Sequence, residues 1–368
     1  MLASTDAEQS QTRYWPHRDS PRRTVAMKVL IAGGAGFIGS TVASACLDEA
    51  GASTGQPITP IVLDNLSAGR TEFVRGRIFY EGDIADARLV DKIFAEHPEI
   101  EAVVHCAALI VVPHSVAQPL LYYRENVAKS VAFLDSVIEN GCGRVLFSSS
   151  ASVYQAGSDL AVDETSPIAP TSPYAHGKAM VEQILQDCVR AYPVRVIALR
   201  YFNPIGADPK LRTGPQSAES SHVLGRMVAA ARGGEPFAVT GVDWPTRDGS
   251  GVRDYVHVWD LARAHVQALR RFDDVVPPAG PNRYAAINLG TGRGTTVREL
   301  LGAFEAVIGR SIGAREVPRR FGDCAGGFND SVRSGELLGW RPTLSLTEAI
   351  RHELQWSAVR DGHQLIPQ

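Results

Sequence analysis

Two rhythms of apolar and polar positions run through this chain. Short, wholly apolar runs closed by glycine or an acid recur through its first two hundred residues, as in Val29-Leu30-Ile31-Ala32 before Gly33 and Ile61-Val62-Leu63 before Asp64. Runs of this length predict buried parallel strands, here over 28–32, 61–64, 77–80, 102–105, 144–147 and 195–199. Between them, apolar residues spaced three and four apart predict helices over about 36–50, 87–96, 119–140 and 174–192. Alternating strand and helix predicts an α/β fold, a doubly wound parallel sheet of Rossmann type. Ligands of such sheets gather at the carboxyl ends of the strands. Residues 51–60 read as a loop. After Asn203 the pattern loosens: Gly, Pro, Ser and charged residues become frequent and elements shorten. Residues 284–290 read as a strand returning to the main sheet. No internal repeat is present. Residues 1–26 are polar, carry Arg13, Arg18, Arg22 and Arg23, and lack apolar periodicity. They read as a disordered tail, with Met27 as an alternative start.

Composition narrows the class. The 368 residues are 44% hydrophobic and 21% charged, with a formal net charge of -3. No long basic stretch marks nucleic acid or an anionic membrane as a partner. Cys46, Cys106, Cys142, Cys188 and Cys324 are scattered without C-x-x-C spacing. They read as reduced thiols of a cytoplasmic protein, with no disulfide frame and no metal site. No apolar run is long enough for a bilayer, and residues 1–26 lack the apolar stretch of a secretory signal.

The chemistry starts at the first strand. Gly33, Gly36 and Gly39, with Phe37 and Ile38 between the last two, follow a strand and open a helix. The first glycine permits the tight turn, the second lets the backbone approach a pyrophosphate, and the third allows close helix packing. Asp64 ends the next strand, where a carboxylate accepts the ribose hydroxyls of an adenosine and repels a 2'-phosphate. NAD is therefore expected over NADP, with Arg70 nearby as a countervailing charge. Asp83-Ile84 either flanks the adenine or supplies a helix cap. Small residues in His105-Cys106-Ala107-Ala108 let the backbone pass close to a nicotinamide. His105 reads as a strand-end packing residue, His257 as a sheet-edge residue and His265 as a helix-face residue.

Tyr174 and Lys178 stand one helical turn apart, downstream of Ser148-Ser149-Ser150. A free phenol titrates near ~10, and bringing it to ~7 takes roughly 4 kcal/mol. The Lys178 ammonium supplies part of this and an oxidised nicotinamide more. Tyr174 then reads as a general base, Ser150 as the hydroxyl sharing its proton movement, and Lys178 as a bridge to the nicotinamide ribose.

These residues resemble the extended short-chain dehydrogenase/reductase family, and within it the nucleotide-sugar enzymes. The resemblance runs from Met27 to about Arg351. It rests on Gly33 to Gly39, Leu63-Asp64-Asn65-Leu66, Glu81-Gly82-Asp83-Ile84, Phe147 to Tyr154, Ser172-Pro173-Tyr174-x-x-x-Lys178, Arg200 to Pro204, Asp248 to Val258 and Arg319 to Asp323. The Asp248 to Val258 run is most like the family's 4-epimerases. The implied reaction inverts C4 of the hexose in a UDP-sugar. NAD takes hydride from C4, the 4-keto sugar turns over, and the hydride returns. The resemblance implies that Asn65, Asn126, Ser148 and Tyr201 join the cofactor site. It implies that Asn203, Arg253 and Arg320 contact the UDP-sugar, and that Asp323 reaches the uridine ribose. Ser221 stands where many members place paired asparagines for the substrate, and Ile110 lies where a lysine is common. Ala151 and Ser152 replace the acidic residues of the related dehydratases, so elimination of water lacks its acid and base. Relatives pair through two helices, here about 119–140 and 174–192. A homodimer is therefore expected, with Leu120, Val127, Val131, Leu134, Val181, Ile184 and Leu185 as candidate apolar faces. Gly327, four residues after Asp323, stands where a tyrosine restricts relatives to plain hexoses, so acceptance of UDP-N-acetylhexosamines is expected. The expected division is an NAD-binding domain of 27–202 plus about 252–309, and a substrate-binding region of about 203–251 plus 310–368. Two other readings remain. One is a different nucleotide-sugar epimerase or decarboxylase of the family. The other is a non-catalytic NAD sensor, marked by loss of Tyr174 or Lys178; both are present.

Overall fold

A computed structural model describes residues 26–49, 57–217, 222–319 and 323–362. The expected tail and two site candidates, Ser221 and Arg320, lie outside the described residues.

Seven strands form the main sheet: β1 (Met27–Ala32), β2 (Ile58–Asp64), β3 (Ile78–Glu81), β4 (Ile100–His105), β5 (Arg144–Ser148), β6 (Arg195–Tyr201) and β7 (Tyr284–Leu289). Their order is β7-β6-β5-β4-β1-β2-β3 and every pairing is parallel. The apolar runs are buried on both faces because successive side chains point to opposite sides. Val29 and Ile31 join one core cluster, while Leu30 and Ala32 join the other. Chain order reverses between β1 and β4, which opens a crevice at their carboxyl ends. Ala32 lies opposite both Leu63 and His105, so the residues after β1, β2 and β4 emerge side by side.

The helices that carry the site are α1 (Phe37–Glu49), α2 (Ala87–Glu96), α3 (Lys129–Glu139), α4 (Pro173–Ala191), α5 (Val258–Arg270) and α6 (Leu346–Asp361). Ser172 caps α4 by accepting the Ala175 N–H, with Pro173 at the first position, where a missing N–H costs nothing. Asp86 caps α2, so the cap reading of Asp83 falls to its neighbour. The single helix expected over 119–140 is interrupted. Pro119–Tyr123 leads into a wide π turn, Arg124–Ala128, before α3. The cause is tertiary. The Asn126 amide accepts from Leu109 N and donates to Leu109 O, each at 2.8 Å, while Ser130 donates to Asn126 O. Such a turn widens the helix to aim one side chain.

The second half of the chain builds a smaller sheet around Val252–His257. That strand pairs with Gly294–Thr296, Gly326–Asn329 and Asn203–Ile205. Its buried Asp254 accepts hydrogen bonds from the N–H groups of Thr291, Gly292 and Asn329 and from the Thr291 hydroxyl. One carboxylate thus fastens the sheet to the end of β7. A separate apolar cluster, with Leu224, Phe237, Tyr255, Phe304 and Leu354, lies under α6.

Candidate active site

The glycine turn sits where β1 meets α1. Gly33 has a φ of 78°, and a Cβ there would stand 2.5 Å from the Ala107 amide nitrogen. Only glycine lets the turn lie against the backbone after β4. Gly36 leaves its outer side bare, and a Cβ there would stand 3.6 Å from the Gln216 Nε2. The first N–H groups of α1, at Phe37 and Ile38, open onto the same side. This cradle of bare backbone and a helix N-terminus fits a dinucleotide pyrophosphate.

Asp64 is buried and accepts the Ala35 and Leu66 N–H groups at 2.9 and 2.8 Å. Burial holds its carboxyl above the ordinary value, against the pull of those two hydrogen bonds. Leu66 adopts left-handed backbone, with φ 57°. Its bond to Asp64 holds that sparsely populated conformation. The loop beyond lines a cavity of ≈ 390 Å³ with Leu66 to Glu72, Gln216 and Ser217. Asn65 donates to Asp83, which also takes the Lys129 ammonium and the Ala85 N–H. Partial burial works against the Asp83 charge, yet Lys129, Ala85 and Asn65 together hold its carboxyl below the usual range. Ile84 packs into the core beside α2. Asn126 fixes the loop that carries Ala107, Ala108 and Leu109.

The catalytic candidates converge at the end of β5. Ser150 follows the strand, accepts the Ser152 N–H and hydroxyl, and stands close enough to Tyr174 to pull its phenol downward. Lys178, 3% exposed, donates to the Ser148 carbonyl at 2.6 Å and lies 4.9 Å from the centre of the Phe147 ring. Burial pushes the Tyr174 phenol up to about 12, partly offset by the nearby Ser150 hydroxyl, with Tyr122 adding to the rise. The expected depression toward ~7 is therefore not produced by the side chains alone. Burial also lowers Lys178 to about 8, against the opposing charges of Cys106 and Glu182. Burial thus disfavours charge on both groups, and a positive ring beside Tyr174 would favour its ionised form.

Ser148 anchors a second chain of hydrogen bonds. The His265 Nδ1 donates to Leu261 O, so its Nε2 accepts from the Ser148 hydroxyl at 3.1 Å. Cys106 Sγ lies 3.1 Å from that hydroxyl. Burial lowers His265 to about 4 and raises Cys106 to about 11, so both stay neutral. His105 packs between Phe133 and Phe147 and reaches Ser130. His257 ends its strand and caps α5 by accepting the Trp259 N–H.

On the substrate side, Asn203 is half-buried and lies opposite Tyr255. The Arg253 guanidinium donates to the Val252, Ala325 and Cys324 carbonyls. Gly327 pairs with Arg253, and a Cβ there would stand 3.3 Å from Leu160 O. Asp323 is half-buried and Ile110 is exposed. Sequence reasoning passed over Ser149, Glu182, Arg200 and Gln216. Glu182 was within reach of it, since it repeats the four-residue step from Tyr174 to Lys178. Gln216 gave no signal, because a loop from the second half of the chain carries it to Gly36.

A dinucleotide cradle feeding a buried tyrosine–lysine–serine group defines an NAD-dependent sugar-modifying class. The chain belongs to the NAD dependent epimerase/dehydratase family, whose pattern matches residues 29–290. It is 40% identical to the UDP-glucose 4-epimerase of Azospirillum brasilense over 89% of this chain and 91% of that one. The crystal structure of a UDP-glucose 4-epimerase from Stenotrophomonas maltophila, with bound NAD and formylated UDP-arabinopyranose, matches with a TM-score of 0.82. It is 35% identical and covers 90% of this chain and 98% of its own. The Bifidobacterium longum UDP-glucose 4-epimerase in complex with NAD+ and UDP matches with a TM-score of 0.80. It is 32% identical and covers 91% of this chain and 99% of its own.

Proposed function

We propose that this chain interconverts UDP-glucose and UDP-galactose by NAD-mediated oxidation at C4, rotation of the 4-keto sugar and re-reduction. The observation that carries this reading is the buried Lys178 ammonium fixed on the Ser148 carbonyl, with Ser150 beside the buried Tyr174 phenol at the same strand end. NAD, when bound, supplies the hydride acceptor and the positive ring that favours ionised Tyr174. Tyr174 takes the proton of the 4-hydroxyl, and Ser150 holds that oxygen. Lys178 stays charged, keeps Ser148 in place and reaches the nicotinamide ribose. Gly33, Gly36, Phe37, Ile38 and Gly39 hold the pyrophosphate, and Asp64 and Asn65 hold the adenosine ribose. Asp83 and Ile84 flank the adenine. Ala107, Ala108, Asn126, Ser148 and Tyr201 shape the nicotinamide end. Asn203, Ser221, Arg253, Arg320 and Asp323 bind the UDP-sugar, where arginines suit the pyrophosphate.

Residues 27–202 and about 252–309 form the cofactor-binding part, and about 203–251 and 310–368 the sugar-binding part. The strands at 252–257 and 294–296 are shared between them, because they bond into the smaller sheet. Gly327 leaves room for UDP-N-acetylhexosamines. The working form is a cytoplasmic homodimer joined through α3, α4 and the turns before α3. Leu120 is 74%, Val131 45% and Met180 43% exposed on these elements, while Leu134, Val181 and Leu185 belong to the core.

The test is incubation with UDP-galactose and no added reductant, followed by product analysis. UDP-glucose is the expected product. Absence of any C4 epimer, or turnover of UDP-glucuronate instead, overturns the reading.

A further inference from the structure

The proton path described above makes no use of a buried, heavily bonded carboxylate on α4. Glu182, on α4 one turn beyond Lys178, is buried, and its two oxygens accept from Ser149, Arg200 and Tyr284. Oε1 takes the Ser149 hydroxyl at 2.5 Å and Arg200 Nε at 2.9 Å. Oε2 takes Arg200 Nη2 at 2.5 Å and the Tyr284 hydroxyl at 2.8 Å. Arg200, also buried, donates to the Tyr154 hydroxyl at 2.8 Å, and Tyr154 donates to the Asn288 Oδ1 at 2.7 Å.

The donors come from the elements that hold the reacting groups. Ser149 lies between Ser148 and Ser150. Arg200 precedes Tyr201 on β6, and Glu182 shares α4 with Tyr174 and Lys178. The peptide between Ser148 and Ser149 is pinned twice. Its carbonyl takes the Lys178 ammonium, and the side chain beyond its N–H reaches Glu182. Both anchors belong to one face of one helix. The Ser150 hydroxyl is therefore held against Tyr174 by two contacts from the helix that carries Tyr174.

A buried ion pair is weak evidence for stability, since well-packed apolar residues often replace it without loss. It does fix geometry, because each desolvated group must keep its partner. We infer that Glu182 is a positioning residue for the epimerisation reaction, acting through the Ser149 hydroxyl to hold Ser150 in place beside Tyr174. This inference rests on the proposed 4-epimerase activity. Neither Glu182 nor Ser149 touches substrate or cofactor in this scheme.

The experiment compares the parent holoenzyme with Ser149→Ala, Glu182→Gln and the double variant, using UDP-galactose and measuring kcat, KM and bound NAD. Displacing a reacting group by about 1 Å costs on the order of 100-fold, so kcat is expected to fall about 10- to 100-fold in each single variant. KM stays within about twofold of the parent, because the loss falls on the transition state. Bound NAD is unchanged. The double variant is no slower than Glu182→Gln, because the hydroxyl acts through the carboxylate. Ser149→Ala removes one hydroxyl and leaves the Arg200–Glu182 pair intact, so it decides the matter where Glu182→Gln fails to fold. A Ser149→Ala kcat within about twofold of the parent overturns the inference. So does a loss confined to KM or to NAD content. A parent with no turnover overturns the 4-epimerase reading itself, and the inference with it.

Discussion

Tyr174 shows how far a residue's chemistry depends on what is brought to it. Burial alone holds its phenol near 12, so the base is latent until a positive ring stands beside it. Tyr174→Phe keeps the ring packing and removes the proton acceptor. Epimerisation is expected to fall by about 100-fold or more, with NAD still bound at parent level. Turnover within about tenfold of the parent, measured by product formation from UDP-galactose, refutes the assignment. Gly327 is the second residue with a direct consequence. Gly327 pairs with Arg253 and has no side chain to fill the space beside it. The parent is expected to turn over UDP-N-acetylgalactosamine, and Gly327→Tyr to lower its kcat/KM relative to UDP-galactose by about tenfold or more, roughly the value of one badly fitting group. An unchanged ratio removes Gly327 from substrate selection.

At the scale of elements, two features stand out. The π turn at Arg124–Ala128 exists because Asn126 is bonded to the loop after β4. That bond ties the helix to the loop after β4, and π turns are frequent at functional sites. The outer face of the same helical hairpin leaves Leu120, Val131 and Met180 exposed. Apolar surface gathered on neighbouring helices suits a self-complementary contact between two copies. Light scattering of the parent is expected to give twice the 39.6 kDa chain mass. Leu120→Glu combined with Val131→Glu is expected to give the monomer, since two buried charges would face each other across the axis. A monomeric parent at working concentration refutes the dimer.

At the scale of the whole molecule, α6 closes the smaller region with a buried acid. Glu353 is pushed up to about 8 from an ordinary 4.5 by burial, against the Arg360 charge and the Gly206 N–H. Below 4.5 the carboxyl is protonated in folded and unfolded chains alike, and its contribution is fully present. As pH rises toward about 8 the unfolded chain ionises and the folded one does not, so stability is lost across that window. Glu353→Gln removes this dependence. The variant is expected to match the parent near pH 4.5 and to exceed its Tm by about 3–5 °C at pH 8. Parallel Tm curves for the two proteins would place the ionisation elsewhere.

The sequence by itself determined the main sheet, the glycine turn, Asp64 at the end of β2, and the Tyr174–Lys178 step. These depend on local rules: a buried parallel strand must be continuously apolar, and a helix repeats a face every three or four residues. Ser150 was legible for the same reason, since it follows the end of an apolar strand. The tertiary structure decided the rest. It broke the helix at Asn126, because a hydrogen bond from a loop seventeen residues away outweighed helix propensity. It brought Gln216 to Gly36 and tied Ser149 to Glu182 and Arg200, contacts that join residues far apart in the chain. It also set the protonation of Tyr174, where burial outweighed the pull of Ser150. Periodicity along a chain records which residues are buried. Which buried polar groups face one another depends on how the layers stack, and only the folded chain fixes that.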